Sequence, residues 1–386
     1  MTSKRLRLLT LSFVHGTVHA VVIIYPVVLN AIRDEFGWGL SFAGWVGTAG
    51  FALFGLTSLP TGWLADLVSR KSLLLIMLTT IIFGALLMGF SVHPAMFVCG
   101  WLMAGFAGGM HHPLALAVIA GSFPGKQGKA LAWHGSGGNF MIAVTPALAG
   151  TVASLYSWRA SFLMGGGFAA LAFLILLFIP RSPAQAKVDQ KKGRLPAWNK
   201  LWVLLLAHSL TGFIYRGVVT YIPHSIGQVW EGMDLAAIGG VTTFVLIFGI
   251  AGQFLGGYLG DGRRFWRLYL GQVILYSACL LLLPLLPGWF FAAGLIFWSI
   301  VYYSTQPVVN SYLAEFSGVS SHGRLYGVAF FTNYTIGSLG AGIAGVLADY
   351  VGLVGMFWGL AGVALVVVVV LYFNRWRLVK AGRGEV

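Results

Sequence analysis

Seven ionisable side chains lie inside long apolar stretches of this chain: His15 and His19, His111 and His112, His134, His208 and Arg216. Imidazole titrates near neutral pH, so a buried histidine can carry a proton, donate to an anion or ligate a metal. It can equally serve only as a hydrogen-bonding contact between helices. His15 and His19 are four residues apart and share one helix face. Arg216 has Tyr215 and Tyr221 nearby and is a fixed positive charge suited to an anion. A guanidinium in hydrocarbon is costly unless paired or hydrated. Arg216 therefore either reaches to the outer interface or lines a water-filled cavity. Tyr302, Tyr303, Gln306 and Asn310 form a polar stripe, and Asn139 and Asn333 add hydrogen-bonding groups. No Asp or Glu occupies the middle of an apolar stretch, and no thiolate is placed to complete a metal site, so a metal path is the weakest of the three uses. Nothing matches a phosphate-binding glycine loop or a nucleophile triad, so no enzymatic chemistry and no cofactor are expected.

The elements that hold these groups follow from composition. Hydrophobic residues make up 58% of 386 and charged residues 9%, and mean hydropathy is +0.85. Soluble domains are about a quarter charged, so the solvent here is mostly lipid. A helix needs roughly 20 apolar residues to cross a bilayer. Spans are expected at 8–30, 42–64, 72–91, 96–120, 130–154, 160–180, 200–222, 237–260, 267–287, 289–313, 324–348 and 352–373. The short alternating segments of a β-barrel are not seen. The apolar run near the N-terminus continues to spanning length and is read as the first helix, not as a signal peptide. Cys99 and Cys279 both fall inside spans, so no structural disulfide is expected.

The net charge of +14 has a topological reading. With the N-terminus in the cytoplasm, 21 of the 24 basic residues lie on the inside, including those of the polar stretch from Arg181 to Lys200. This is the positive-inside bias, with both termini cytoplasmic, and it requires no nucleic acid. The same polar stretch separates six spans from six. The expected organisation is a six-helix half at 1–180, a cytoplasmic linker at 181–199 and a second half at 200–386.

The halves repeat one another. An offset of 195 residues places Gly62-x-Leu64-x-Asp66 on Gly257-x-Leu259-x-Asp261, each followed by basic residues: Arg70 and Lys71 in the first copy, Arg263, Arg264 and Arg267 in the second. Gly128-Lys129 falls on Gly323-Arg324. A duplicated apolar unit points to a transporter built from two repeats. Glycines cluster on the fourth, fifth and eleventh spans, where small residues let helix backbones approach closely.

The stretch Gly62-Trp63-Leu64-Ala65-Asp66-Leu67-Val68-Ser69-Arg70-Lys71 resembles the signature loop between the second and third helices of the major facilitator superfamily. The resemblance implies an all-α integral membrane protein of twelve transmembrane helices in two six-helix halves. It also implies a conformational latch at Gly62, Asp66, Arg70 and Lys71, repeated at Gly257, Asp261 and Arg264. Within the superfamily, His112-Pro113, Gly137-Gly138-Asn139-Phe140, Pro146, Tyr25-Pro26 and Glu35-Phe36 are similar to the fosmidomycin-resistance branch of efflux proteins, mainly over the first half. Two positions depart from that pattern. His15 stands where an acidic residue is common, and Leu114 follows His-Pro where Glu is frequent. Both departures remove a carboxylate.

In that superfamily the first, fourth, seventh and tenth helices line the cavity. From the rise per residue, His15 lies roughly 6 Å, and His111 and His112 about 5 Å, to the inner side of their span midpoints, while Arg216 lies roughly 7 Å to the outer side. The expected solute and proton path is thus His15, His19, His111, His112, Asn139, Tyr215, Arg216, Gln306 and Asn310. The expected function is proton-antiport export of a small anionic or amphiphilic solute from a bacterial inner membrane. Proton-linked uptake of a metabolite anion is the main alternative, and a non-transporting receptor or scaffold leaves the paired loops without a task. The expected partners are the solute, protons and the lipid bilayer. A monomer is sufficient for the two-half architecture.

Overall fold

The computed structural model describes residues 3–123, 127–180, 198–260, 265–316 and 322–375. Among the described residues every regular element is helical: α1 (Ser3–Phe36), α2 (Leu40–Leu67), α3 (Arg70–Gly89), α4 (Pro94–Ser122), α5 (Gln127–Leu155), α6 (Trp158–Phe178), α7 (Trp198–Val229), α8 (Leu235–Leu259), α9 (Phe265–Leu282), α10 (Gly288–Phe316) and α11 (His322–Phe373). A lipid-exposed backbone must satisfy its polar groups internally, and helices do so within one segment. Ten of these helices are long and apolar enough to cross a membrane. The 29-residue α10 has the length to add another. The 52 residues of α11 would extend about 78 Å if straight, but the helix breaks at Gly352, where φ is 74° and ψ −176°. Its two arms supply separate spans, which gives the twelve expected from sequence.

Two compact units are present. The first comprises Met1–Trp38, Ala49–Val188 and Gly232–Thr243, and the second Gly39–Thr48, Asp189–Glu231 and Phe244–Val386. In the first unit α1 packs against α4, α5 and α6, and α3 packs against α4 and α6. Its core holds Tyr25 stacked on Trp101 at 4.7 Å between centroids, with Phe97 and Phe162 beside Trp158. At one end Glu35 accepts from Trp158 Nε1 and Arg159 Nη1, both at 2.8 Å, and Arg159 Nε donates to the Ser91 carbonyl at 2.7 Å. At the other end cations meet helix C-termini, where carbonyls lack intrahelical partners. Arg7 donates to Ser122 Oγ and to the Pro180 carbonyl, and Lys71 to the carbonyls of Leu177 and Ile179.

In the second unit α7 packs along α11, and α9 packs against α10 and α11. The start of α2 belongs here. Asp349 accepts from the backbone N–H of Leu40 at 2.9 Å and Ser41 at 2.6 Å, and Thr48 donates to the Ser338 carbonyl at 2.8 Å.

The 195-residue repeat is visible in backbone geometry. Gly37, before α2, and Gly232, before α8, both have positive φ, at 67° and 84°. The helices they introduce begin at Leu40 and Leu235. The break at Gly352 falls at the repeat position of Ser157, the N-cap of α6, whose hydroxyl accepts from the Ala160 N–H.

Candidate functional site

Five histidines converge in the first unit. His15 and His19 come from α1, His111 and His112 from α4, and His134 from α5. Gly137 and Gly138, three and four residues after His134 on α5, set the approach of α5 to α1. A methyl group at Gly138 would fall 2.5 Å from His15 Cε1, so only glycine leaves room for the imidazole. The His134 ring then stacks on His15 at 4.4 Å between centroids, and His111 stacks on the same ring at 5.0 Å. His112 meets His15 edge-on at 5.0 Å, and His19 lies 4.7 Å away. His15 is the hub.

The hydrogen bonds assign its tautomer. Nδ1 of His15 lies 3.0 Å from the backbone carbonyl of His134. A carbonyl only accepts, so Nδ1 carries the proton and, in the neutral ring, Nε2 is left as the acceptor. Nε2 of His19 lies 3.0 Å from that atom and donates to it. His15 thus has its acceptor nitrogen turned toward His19. His111 is completely buried, and among the described residues neither of its ring nitrogens meets a hydrogen-bond partner. The five rings form a contiguous cluster in which His15 and His19 share a hydrogen bond along which a proton can pass, and two sets of three rings bring nitrogen atoms close together.

A second polar group forms in the second unit around Arg216, which is buried. Its Nη1 donates to the carbonyls of Gly212 at 3.1 Å and Asn333 at 3.0 Å, and Asn333 Oδ1 lies at 3.4 Å. The guanidinium carbon sits 4.0 Å above the Tyr334 ring, a cation–π contact. Beside it, Tyr215 shares a 2.8 Å hydrogen bond with Tyr303 and stacks on Tyr302 at 4.9 Å. The side chain is thus held among protein groups of α7 and α11.

The remaining sequence candidates are dispersed. Gln306 accepts from Gln253 at 3.3 Å. Asn139 is half-buried, one residue beyond Gly138, and Asn310 is exposed. Arg70 donates to the Ala117 carbonyl near the end of α4 at 3.0 Å. Among the described residues no atom would come within 4 Å of a methyl placed at Gly62 or Gly257. The side chain of Asp66 and the whole of Asp261 and Arg264 lie outside the described residues. Sequence reasoning left His134 out of the path, although its spacing from Gly137 and Gly138 puts all three on one face of α5. Tyr334 was also missed, and no local spacing ties it to Arg216.

Comparison with known proteins agrees with this architecture. An uncharacterized MFS-type transporter of Bacillus subtilis, YbcL, is 26% identical over 380 residues, covering 94% of each chain. A multidrug resistance protein B homolog of Mycobacterium tuberculosis is 26% identical over 201 residues, which span 51% of this chain and 35% of that one. The crystal structure of a D-xylose-proton symporter superposes with a TM-score of 0.81 at 14% identity, covering 98% of both chains. These relatives are transporters, not enzymes. The sequence pattern of the Major Facilitator Superfamily matches residues 8–341, and the chain belongs to that superfamily of membrane transporters.

Proposed function

We propose that the protein is a secondary active transporter that exports a small anionic or amphiphilic solute by proton antiport. The five-histidine cluster is the observation that carries this reading. Intramembrane ionisable groups usually mark a substrate or proton path, and here five lie in mutual contact around His15 with no need of a carboxylate. In this mechanism His15, His19, His111 and His112 take up and release the proton, while Arg216 supplies fixed positive charge to the solute. Tyr215, Asn139, Gln306 and Asn310 contribute hydrogen bonds along the path.

The halves at 1–180 and 200–386, joined by the linker at 181–199, alternate access around a midplane site. The charged segments at Gly62, Asp66, Arg70 and Lys71 and at Gly257, Asp261 and Arg264 act as latches on the inner side. Both termini face the cytoplasm, as the distribution of basic residues supports, and one chain suffices for transport. Export is supported by the multidrug-resistance name of the mycobacterial relative and by the first-half likeness to the fosmidomycin-resistance branch.

Reconstitution into vesicles tests the coupling. Under antiport, an acidic lumen drives accumulation of labelled organic anions from neutral buffer as protons leave. Accumulation driven by an acidic exterior establishes symport instead, the uptake reading. Flux that ignores the pH gradient removes proton coupling altogether.

A further inference from the structure

The arrangement around His15 has features that proton transfer does not require. The Nε2 atoms of His15 and His19 point at one another 3.0 Å apart. Together with His112 they place one nitrogen each within 4.8 Å of one another, and His15, His111 and His134 do the same. Zinc–imidazole bonds of about 2.0–2.1 Å put the nitrogens of a tetrahedral site about 3.3 Å apart. The His15–His19 pair is already at that spacing, and the third nitrogen needs to move by about an ångström and a half at most.

The bond that would orient such a ligand is also in place. A metal-bound histidine characteristically donates its other ring N–H to a carbonyl or carboxylate, which fixes tautomer and orientation. Nδ1 of His15 makes that bond to the His134 carbonyl. A further imidazole packs against the same rings. His111 is fully buried with neither ring nitrogen hydrogen-bonded among the described residues, and its ring lies 5.0 Å from His15 and 5.5 Å from His112. The sequence alone argued against a metal for want of a carboxylate or thiolate. The structure supplies a donor set made of imidazole.

We propose that this cluster binds one late first-row divalent ion, of the class of Zn²⁺, Co²⁺, Ni²⁺ and Cu²⁺, through Nε2 of His15, Nε2 of His19 and the ring of His112. Imidazole donors suit these ions, while Mg²⁺, Ca²⁺ and Mn²⁺ favour oxygen. Coordination displaces the proton that His19 now holds toward His15, and that proton moves to Nδ1 of the His19 ring. Because only neutral imidazole ligates, protons compete with the ion and binding weakens as pH falls. The inference does not depend on the direction of transport or on the solute.

The test is titration of untagged, detergent-solubilised full-length protein with Co²⁺ and Zn²⁺, read by visible absorption of the cobalt and by competition with a chromophoric chelator. One ion per chain is expected, with the d–d bands of a low-coordinate nitrogen site that Zn²⁺ abolishes and Mg²⁺ does not. His15→Gln and His112→Gln should each lower affinity at least about tenfold, the scale seen even for lost outer-shell partners. His208→Gln and His224→Gln, in the second unit, should leave it unchanged. Circular dichroism and gel filtration confirm that each variant is folded; should His15→Gln fail to fold, His112→Gln and the proton competition on wild type decide. Absence of the cobalt bands in the wild type overturns the proposal, as does equal loss of binding in the His208 and His224 variants.

Discussion

The carbonyl of His134 and Nδ1 of His15 are 3.0 Å apart, and this single bond orients the ring on which four other histidines converge. It joins α5 to α1, so the state of the cluster depends on how closely those two helices pack. Any side chain that holds them apart should uncouple the imidazoles with every histidine left in place.

Gly138→Ala is the direct probe of that dependence. The added methyl would stand 2.5 Å from Cε1 and 2.7 Å from Nδ1 of His15, so the ring or the helix must shift. Overpacking of this kind destabilises by about 1–3 kcal/mol. The variant should unfold at lower temperature and lose the pH dependence of transport. Gly135→Ala, on the same helix but facing open space, should match the wild type in both assays.

Asp349 provides a second stability prediction. Its carboxylate accepts from two backbone N–H groups in the first turn of α2, which serves as an N-cap supplied from α11. Loss of a capping side chain costs about 0.5–2 kcal/mol. Asp349→Ala should lower unfolding stability in detergent by an amount in that range, and Asp349→Asn by less, because one amide oxygen still accepts. Equal stability of Asp349→Ala and wild type would show that water replaces the cap without loss.

Asp234 gives a pH dependence of known sign. It precedes α8, accepts from the Ala237 N–H at 2.8 Å and from the Ser154 hydroxyl at 3.0 Å, and these bonds hold its carboxyl below the ordinary value of 3.8. A carboxyl with a lowered folded pKa adds stability above the unfolded value, and that stability is lost as pH falls through the folded one. The unfolding midpoint of Asp234→Asn should therefore lie below that of wild type at about pH 6, and the gap should close in the acid range. A gap that persists unchanged into strong acid would assign the effect to the side chain's shape instead of its charge.

The helices were legible because their signals are local. Hydropathy and length placed the second span at 42–64, and α2 runs Leu40–Leu67; the eighth was placed at 237–260, and α8 runs Leu235–Leu259. The repeat offset, read from Gly62 and Gly257, reappears in Gly37 and Gly232. Depth along the axis, a matter of counting, brought the α1 and α4 histidines to one level. Rotation about the axis was not countable. Whether His134 faces α1 or lipid depends on which side of α5 docks, and that is decided by backbone approach at Gly137 and Gly138. Arg216 illustrates the same limit, since the ring beneath it comes from a helix distant in sequence.

Arg216 is the position where charge and shape can be separated. Its guanidinium carbon lies 4.0 Å over the centre of the Tyr334 ring while Nη1 is shared among the Gly212 and Asn333 carbonyls and Asn333 Oδ1. A lysine keeps the charge but is a compact ammonium that cannot stack or fork in this way. If the group serves to present positive charge to an anionic solute, Arg216→Lys should retain transport with an apparent affinity weakened by about tenfold, in line with a cation–π contact of about 0.5–2 kcal/mol. Arg216→Met should abolish saturable transport of anions while leaving the protein folded, because Met fills the volume beside Tyr334. Tyr334→Leu should reproduce the lysine phenotype from the other side of the contact. Measured affinities for an anion and for a neutral analogue of equal size distinguish the cases. A variant that loses both equally has lost its fold or its cavity, and one that loses only the anion has lost the charge that recognises it.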